Sequence, residues 1–203
     1  MKKRPLVNIY PETTRLAYDP DIHRRRTIRL RHYDYSQTGM VVVTICACQR
    51  ECFFGNVSGR DMVLNDAGRM VGAAWYQLPE RFAGLGLDAF VIMPNHIHGI
   101  FIIGPRQGEP SVGPVSIDKA GFKKVSGTLD GSVGRIVQAF KSITTHQYID
   151  GVRQWGWKPF PGKLWQRNYW EHVIRNDDEL TGIREYIHSN PVQWACDSLN
   201  ATV

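Results

Sequence analysis

Two short apolar runs organise the chain: Val41-Val42-Val43-Thr44-Ile45 and Ile100-Phe101-Ile102-Ile103. Both are β-branched and strand-sized, and residues 40–49 as a whole read as a strand. Gly55-Asn56-Val57-Ser58-Gly59 reads as a turn. A helix is predicted from an N-cap at Asn65 or Asp66 to Leu78, stopped by Pro79. Residues 86–93 and 96–103 are apolar runs around Met93-Pro94-Asn95, the pattern of a hairpin or a sharply bent strand pair. Ile136, Phe140 and Ile143 recur at helical spacing and predict a helix over 132–149. A last helix starts at Asn176 or Asp177, where Asn176 and Glu179 have capping-box spacing, and ends at Asn190 because Pro191 forbids continuation. The order β-α-β-β-α-α predicts an α+β fold whose sheet is covered on one face by helices.

The segments outside these elements differ in composition. Residues 1–35 are polar, basic and aperiodic, and are expected to form an N-terminal arm. Residues 104–131 are rich in Gly, Pro, Ser and Lys and are expected to be a long mobile loop. That leaves 36–193 as the folded domain and 194–203 as a tail. No run approaches the ~18 apolar residues of a membrane helix. Met1-Lys2-Lys3-Arg4-Pro5 has no apolar stretch behind it, so neither membrane insertion nor a secretory signal is expected, and a cytoplasmic location is. The four cysteines do not have zinc-ribbon or redox spacing and are expected to be reduced. The net charge of +6 is unevenly placed: residues 1–31 carry nine Lys or Arg against three acids, and the remainder sums to zero. A second basic stretch spans 134–176, with seven basic residues against two acidic. Two basic regions point to a polyanion partner.

Candidate chemistry centres on Met93-Pro94-Asn95-His96-Ile97-His98-Gly99-Ile100. In a strand, His96 and His98 project to one face, and two imidazoles on a rigid strand form half of a divalent-metal site. Along the last helix, advancing 100° per residue, Tyr186 and Asn190 fall on one flank of the stripe formed by Leu180, Ile183 and Ile187. A Tyr and a helix-ending Asn are also what an ordinary partly buried helix would show. Taken together, a cation on His96, His98 and Asn190 could polarise a phosphodiester while Tyr186 attacks phosphorus. Tyr148 and Tyr169 compete for that role, but neither has an Asn or Gln four residues later.

At this point the chain resembles a known family, the single-tyrosine HUH transposases of the IS200 type, and within them the REP-associated tyrosine transposases. The resemblance runs over residues 24–193, nearly the whole chain. It is carried by Arg24-Arg25-Arg26-Thr27-Ile28-Arg29-Leu30, Tyr33-Asp34-Tyr35, Val43-Thr44-Ile45-Cys46 and Phe90 to Ile100. It continues through Phe140-Lys141-Ser142, Leu164 to Arg175 and Glu185 to Val192. The resemblance implies a ferredoxin-like antiparallel sheet, the HUH nuclease fold, with the histidines on a central strand. It implies Mg²⁺ or Mn²⁺ on His96, His98 and Asn190, and Tyr186 as nucleophile. It also implies cleavage and rejoining of single-stranded DNA at palindromic hairpins through a 5′-phosphotyrosine, by a monomer or a homodimer. Trp170 stands where relatives often carry a second Tyr.

Contacts to DNA are expected from Arg24, Arg25 and Arg26 in the arm, and from Lys141, Gln166, Arg167 and Arg175. Trp155, Trp157 and Trp165 are candidates to stack on unpaired bases, although core packing would explain each of them singly. The competing function is a domesticated, non-catalytic binder of DNA hairpins, which the charge and the aromatics fit equally well.

Overall fold

The computed structural model describes residues 39–104 and 132–200. The expected basic arm, with Arg24, Arg25 and Arg26, and residues 105–131 of the expected loop lie outside the described residues.

The apolar runs form a four-stranded antiparallel sheet of β1 (Gly39–Cys46), β4 (Leu85–Ile92), β5 (His96–Ile103) and β6 (Trp170–Ile174). Its order is β4-β5-β1-β6. A two-stranded hairpin of β2 (Gly55–Ser58) and β3 (Asp61–Leu64) follows β1 where the sequence predicted only a turn. The helices are α1 (Asp66–Tyr76), a short α2 (Leu78–Arg81), α3 (Val133–Trp155) and α4 (Asp177–Gln193). Without the hairpin and α2, the chain runs β1-α1-β4-β5-α3-β6 and then α4, a ferredoxin-like core followed by one more helix. The α+β antiparallel architecture expected from the sequence is therefore present. No described helix is long and apolar enough to cross a membrane.

Three local differences have physical causes. The edge strand β6 was not predicted, because its five residues mix Trp170, Glu171 and His172 with only two aliphatics, as edge strands do. The α3 helix runs past Ile149 to Trp155, ended by Gly156 in the left-handed conformation at φ 68°. The α4 helix carries Pro191 inside its last turn and stops two residues later, since a proline that near the end forfeits only one intrahelical bond.

A larger difference concerns the layers. Helices lie on both faces of the sheet, not on one. Val41, Val43, Ile45, Ile97 and Phe101 face a main core with Trp75 of α1 and Ile136 and Phe140 of α3. Val42, Ile100 and Ile174 face a smaller core with Leu180 and Ile187 of α4. The unbroken run Val41-Val42-Val43 is what a strand buried on both faces requires. The two histidines share a face with Ile100, and so lie under α4.

Candidate metal and nucleophile site

His96 and His98 are fixed first by strand pairing. In the β1–β5 ladder Cys46 stands opposite His96 and Thr44 opposite His98. Both side chains are buried, and their Nε2 atoms face each other at 3.0 Å. The Nδ1 atoms are held from behind. His96 Nδ1 lies 2.7 Å from Asn95 Oδ1, and His98 Nδ1 lies 2.7 Å from Thr44 Oγ1.

The orientation of the Asn95 amide is set by its other bonds, in which Nδ2 donates to the carbonyls of Arg50 and Leu199 at 3.0 and 2.8 Å. Its Oδ1 can only accept, so His96 carries its proton on Nδ1 and presents a lone pair at Nε2. Thr44 is less restrictive, because a hydroxyl can donate or accept. It serves His98 whichever nitrogen holds the proton. Burial lowers the His96 pKa from 6.5 to about 4, the Asn190 side chain opposing the shift. Burial and the neighbouring His96 lower that of His98 to about 3. Both rings are therefore neutral near pH 7, the state in which imidazole binds metals.

Residues of α4 close the site from above. Leu180 and Ile187 seat the helix on the sheet. Arg184 clamps it to β4 through a two-pronged pair with Asp88, Nε to Oδ1 at 2.8 Å and Nη2 to Oδ2 at 2.6 Å. His172 of β6 holds its first turn through Glu179, at 2.5 Å. The Tyr186 hydroxyl thereby reaches 3.4 Å from His98 Nε2, with the two rings edge to face. Tyr186 as a whole remains 44% exposed. Partial burial pushes its phenol pKa up, while the Asn190 side chain pulls it down. Asn190 itself is buried, and its Oδ1 accepts no hydrogen bond.

The structure thus gathers His96, His98, Tyr186 and Asn190 in one place. The competing tyrosines lie elsewhere: Tyr148 is buried in the main core and donates to the Lys158 carbonyl, and Tyr169 donates to Glu171. Among the described residues no group of three His, Cys, Asp or Glu side chains is arranged to hold a metal ion.

The expected DNA contacts are placed unevenly. Trp165 is a core residue: it stacks on Phe54 at 5.0 Å and donates from Nε1 to Thr144, so no base can reach its face. Trp155 and Trp157 belong to the α3 side of the sheet, away from the histidines, with Trp157 packed into the main core. Lys141 spends its ammonium on the carbonyls of Gln166, Arg167 and Asn168, and thereby shapes the segment leading into β6. Gln166 is half-buried, while Arg167 and Arg175 are exposed.

Four site residues went unassigned in the sequence. Thr44 and Asn95 lie inside quoted motifs, but their roles depend on cross-strand and tail contacts. Asp197 and Trp194 fall in the expected tail, yet Asp197 Oδ2 stands 3.6 Å from His96 Nε2 and the Trp194 ring lies against His96. Exposed Trp170 is in the same cross-strand row as Thr44 and His98, stacked parallel on His172.

Comparison with known proteins gives the class first. The chain is similar to a solved REP-associated tyrosine transposase bound to a REP hairpin, with a TM-score of 0.53 and 19% identity over 82% of this chain and 73% of that one. At that identity the likeness is one of fold alone. The chain belongs to one family with an uncharacterized protein of Haemophilus influenzae, to which it is 40% identical over 184 residues, 90% of this chain and 96% of that protein. A stretch of 30 residues is 50% identical to a second Haemophilus influenzae protein, provisionally named a REP-associated tyrosine transposase, and spans 17% of it. The family resemblance read from the sequence therefore stands on fold and on local sequence together. No model of a known protein family matches the chain.

Proposed function

We propose that the protein is a divalent-metal-dependent endonuclease and strand transferase for single-stranded DNA, acting through a 5′-phosphotyrosine on Tyr186. The observation that carries this reading is the convergence of the Tyr186 hydroxyl, 3.4 Å from His98 Nε2, with the unpartnered Oδ1 of Asn190 over a pair of buried, neutral imidazoles. A buried amide oxygen without a partner costs about 1–3 kcal/mol and calls for one. Two imidazole nitrogens and one amide oxygen are a donor set that suits Mg²⁺ or Mn²⁺ less tightly than carboxylates would, but leaves positions for phosphate oxygens. His96, His98 and Asn190 would hold the ion. When bound, it would supply Lewis-acid charge to a phosphodiester oxygen.

The chain's own residues supply the rest. Tyr186 offers its oxygen from a helix clamped at Asp88, so the nucleophile is positioned before substrate arrives. Its proton leaves to solvent. The Oη–P bond forms as the P–O3′ bond breaks, and the electron pair departs on the 3′ oxygen, which is protonated to a hydroxyl. A free 3′-hydroxyl attacking the phosphotyrosine reverses the step and reseals a strand without ATP. Burial on the α3 side disfavours Tyr148 for this role, since its phenol is pushed up to about 12.

A hairpin-bearing single strand is the proposed substrate, because the solved relative of the same fold is bound to a REP hairpin. The expected arm residues Arg24, Arg25 and Arg26, with exposed Arg167 and Arg175, would meet its phosphates. Incubation with a palindromic single strand should give a denaturation-resistant protein–DNA adduct in Mn²⁺, none in EDTA, and none with Y186F. An adduct that persists in Y186F would remove Tyr186 from the mechanism. Tight hairpin binding with no adduct on any palindrome of the host genome would favour the non-catalytic binder.

A further inference from the structure

The C-terminal segment after α4 returns to the site. Trp194–Cys196 forms a short 3-10 turn, and the turn that follows is closed by the bonds Asp197 N to Trp194 O and Asn200 N to Asp197 O. Two residues from distant parts of the chain hold it down. Asn95 Nδ2 donates to the Leu199 carbonyl, and Arg50 Nη1 donates to the Ser198 carbonyl at 2.7 Å. Arg50 reaches it from a strained backbone, since Gln49 and Arg50 both have left-handed φ, 56° and 55°.

What this anchoring delivers to the site is a carboxylate. The Asp197 side chain is 8% exposed. Its Oδ1 accepts from Leu199 N at 2.8 Å, an ordinary turn contact. Its Oδ2 is buried, has no hydrogen-bond partner, and lies 3.6 Å from His96 Nε2, the nitrogen shown above to carry a lone pair. A buried anion beside a lone pair is unfavourable as it stands, and turn capping explains only one of the two oxygens. The other donors, two neutral imidazoles and a carboxamide, bring no charge to a dication.

We propose that Asp197 is the charge partner of the divalent cation at this site, its Oδ2 facing the ion held by His96, His98 and Asn190 and offsetting half of its charge. This rests on the metal reading of the site given above and extends it to a segment that the motif does not include. Asn95 then has a double role: its Oδ1 fixes the tautomer of His96, while its Nδ2 ties down the segment that presents Asp197.

The test is Mn²⁺ binding by isothermal titration calorimetry to the full chain without DNA, together with thermal melts in Mn²⁺ and in EDTA. D197N should bind Mn²⁺ at least tenfold more weakly than wild type and lose most of the Mn²⁺-induced rise in Tm. In EDTA it should melt no lower than wild type, because an unpaired buried carboxylate has been removed. A purely structural Asp197 would instead lower the EDTA melt and leave affinity unchanged, which would overturn the proposal. D197S serves if D197N does not fold, and E80Q, at an exposed carboxylate of α2, should bind as wild type does. Wild-type affinity in D197N with binding abolished in H98A would overturn the role of Asp197 and leave the histidine site standing. Failure of the wild type to bind Mn²⁺ would overturn both.

Discussion

At the scale of single residues, the site is built on two imidazoles taken out of water and kept uncharged. His96 and His98 are buried so deeply that protonation is disfavoured down to about pH 4 and 3. The unfolded chain protonates them near 6.5, so between 6.5 and about 4 it binds more protons than the folded one. Stability therefore rises with pH across that window and is lost on acidification through it. Urea melts of the EDTA-treated protein should show the loss between pH 7 and 4.5, on the order of a few kcal/mol, and H98N should flatten the curve. An unchanged slope in H98N would mean that the imidazoles reach water. Much of this site was legible in the chain, because a strand repeats every two residues and a helix every 3.6. His-x-His had to share a face, and Tyr186 with Asn190 had to flank the buried stripe. Asp197 was not legible, since its position depends on the Asn95 amide and the Arg50 guanidinium, which are distant in sequence. Of the two readings open for Trp165, base stacking and core packing, the second holds: the ring is enclosed by Phe54 and Phe140.

At the scale of elements, β5 is a two-sided part. One face carries the imidazoles, and the other carries Gly99 against α1. The Trp75 ring stacks between Phe90 and Phe101, at 4.5 and 4.6 Å, and passes over Gly99 so closely that an added Cβ would meet Trp75 carbons at 2.3 and 2.6 Å. The glycine after His98 is thus a packing requirement of the face opposite the histidines. G99A should destabilise the fold by about 1–3 kcal/mol in urea melts, through displacement of Trp75. It should also weaken Mn²⁺ binding, because the strand backbone moves with it. Full stability in G99A would show that the ring can shift at no cost. Element types and most boundaries followed from periodicity, as in β1, β5, α1 and α4. The missing strand and the second helical layer did not, for opposite reasons. β6 is too short and polar to register. Val41-Val42-Val43 did register as a strand, but a run apolar on both faces was assigned only one covering layer.

At the scale of the whole molecule, the sheet divides the large core from the candidate site. The α1 and α3 side holds the large aromatic core, and the α4 side holds the imidazoles, the phenol and the tail. The edge strand β6 presents Trp170, half-exposed, in the cross-strand row of Thr44 and His98, with exposed Arg167 before it and Arg175 after it in the chain. An unpaired strand approaching Tyr186 along that edge could stack a base on Trp170 and place phosphates on the two guanidiniums. W170A should weaken binding of a single-stranded flank about tenfold in fluorescence anisotropy, in line with stacking values of about 1–3 kcal/mol per base. Binding of a blunt hairpin without flank should stay unchanged. Equal losses on both DNAs would place Trp170 at the hairpin instead.

The Thr44 hydroxyl behind His98 has a consequence for the ring's tautomers. A hydroxyl rotates within picoseconds to nanoseconds and can accept from Nδ1 as readily as donate to it. In the proposed metal-bound state His98 would give its Nε2 lone pair to the ion and carry its proton on Nδ1, and the only rearrangement this asks for behind the ring is that rotation. Neither tautomer of His98 therefore leaves its Nδ1 without a partner behind the ring.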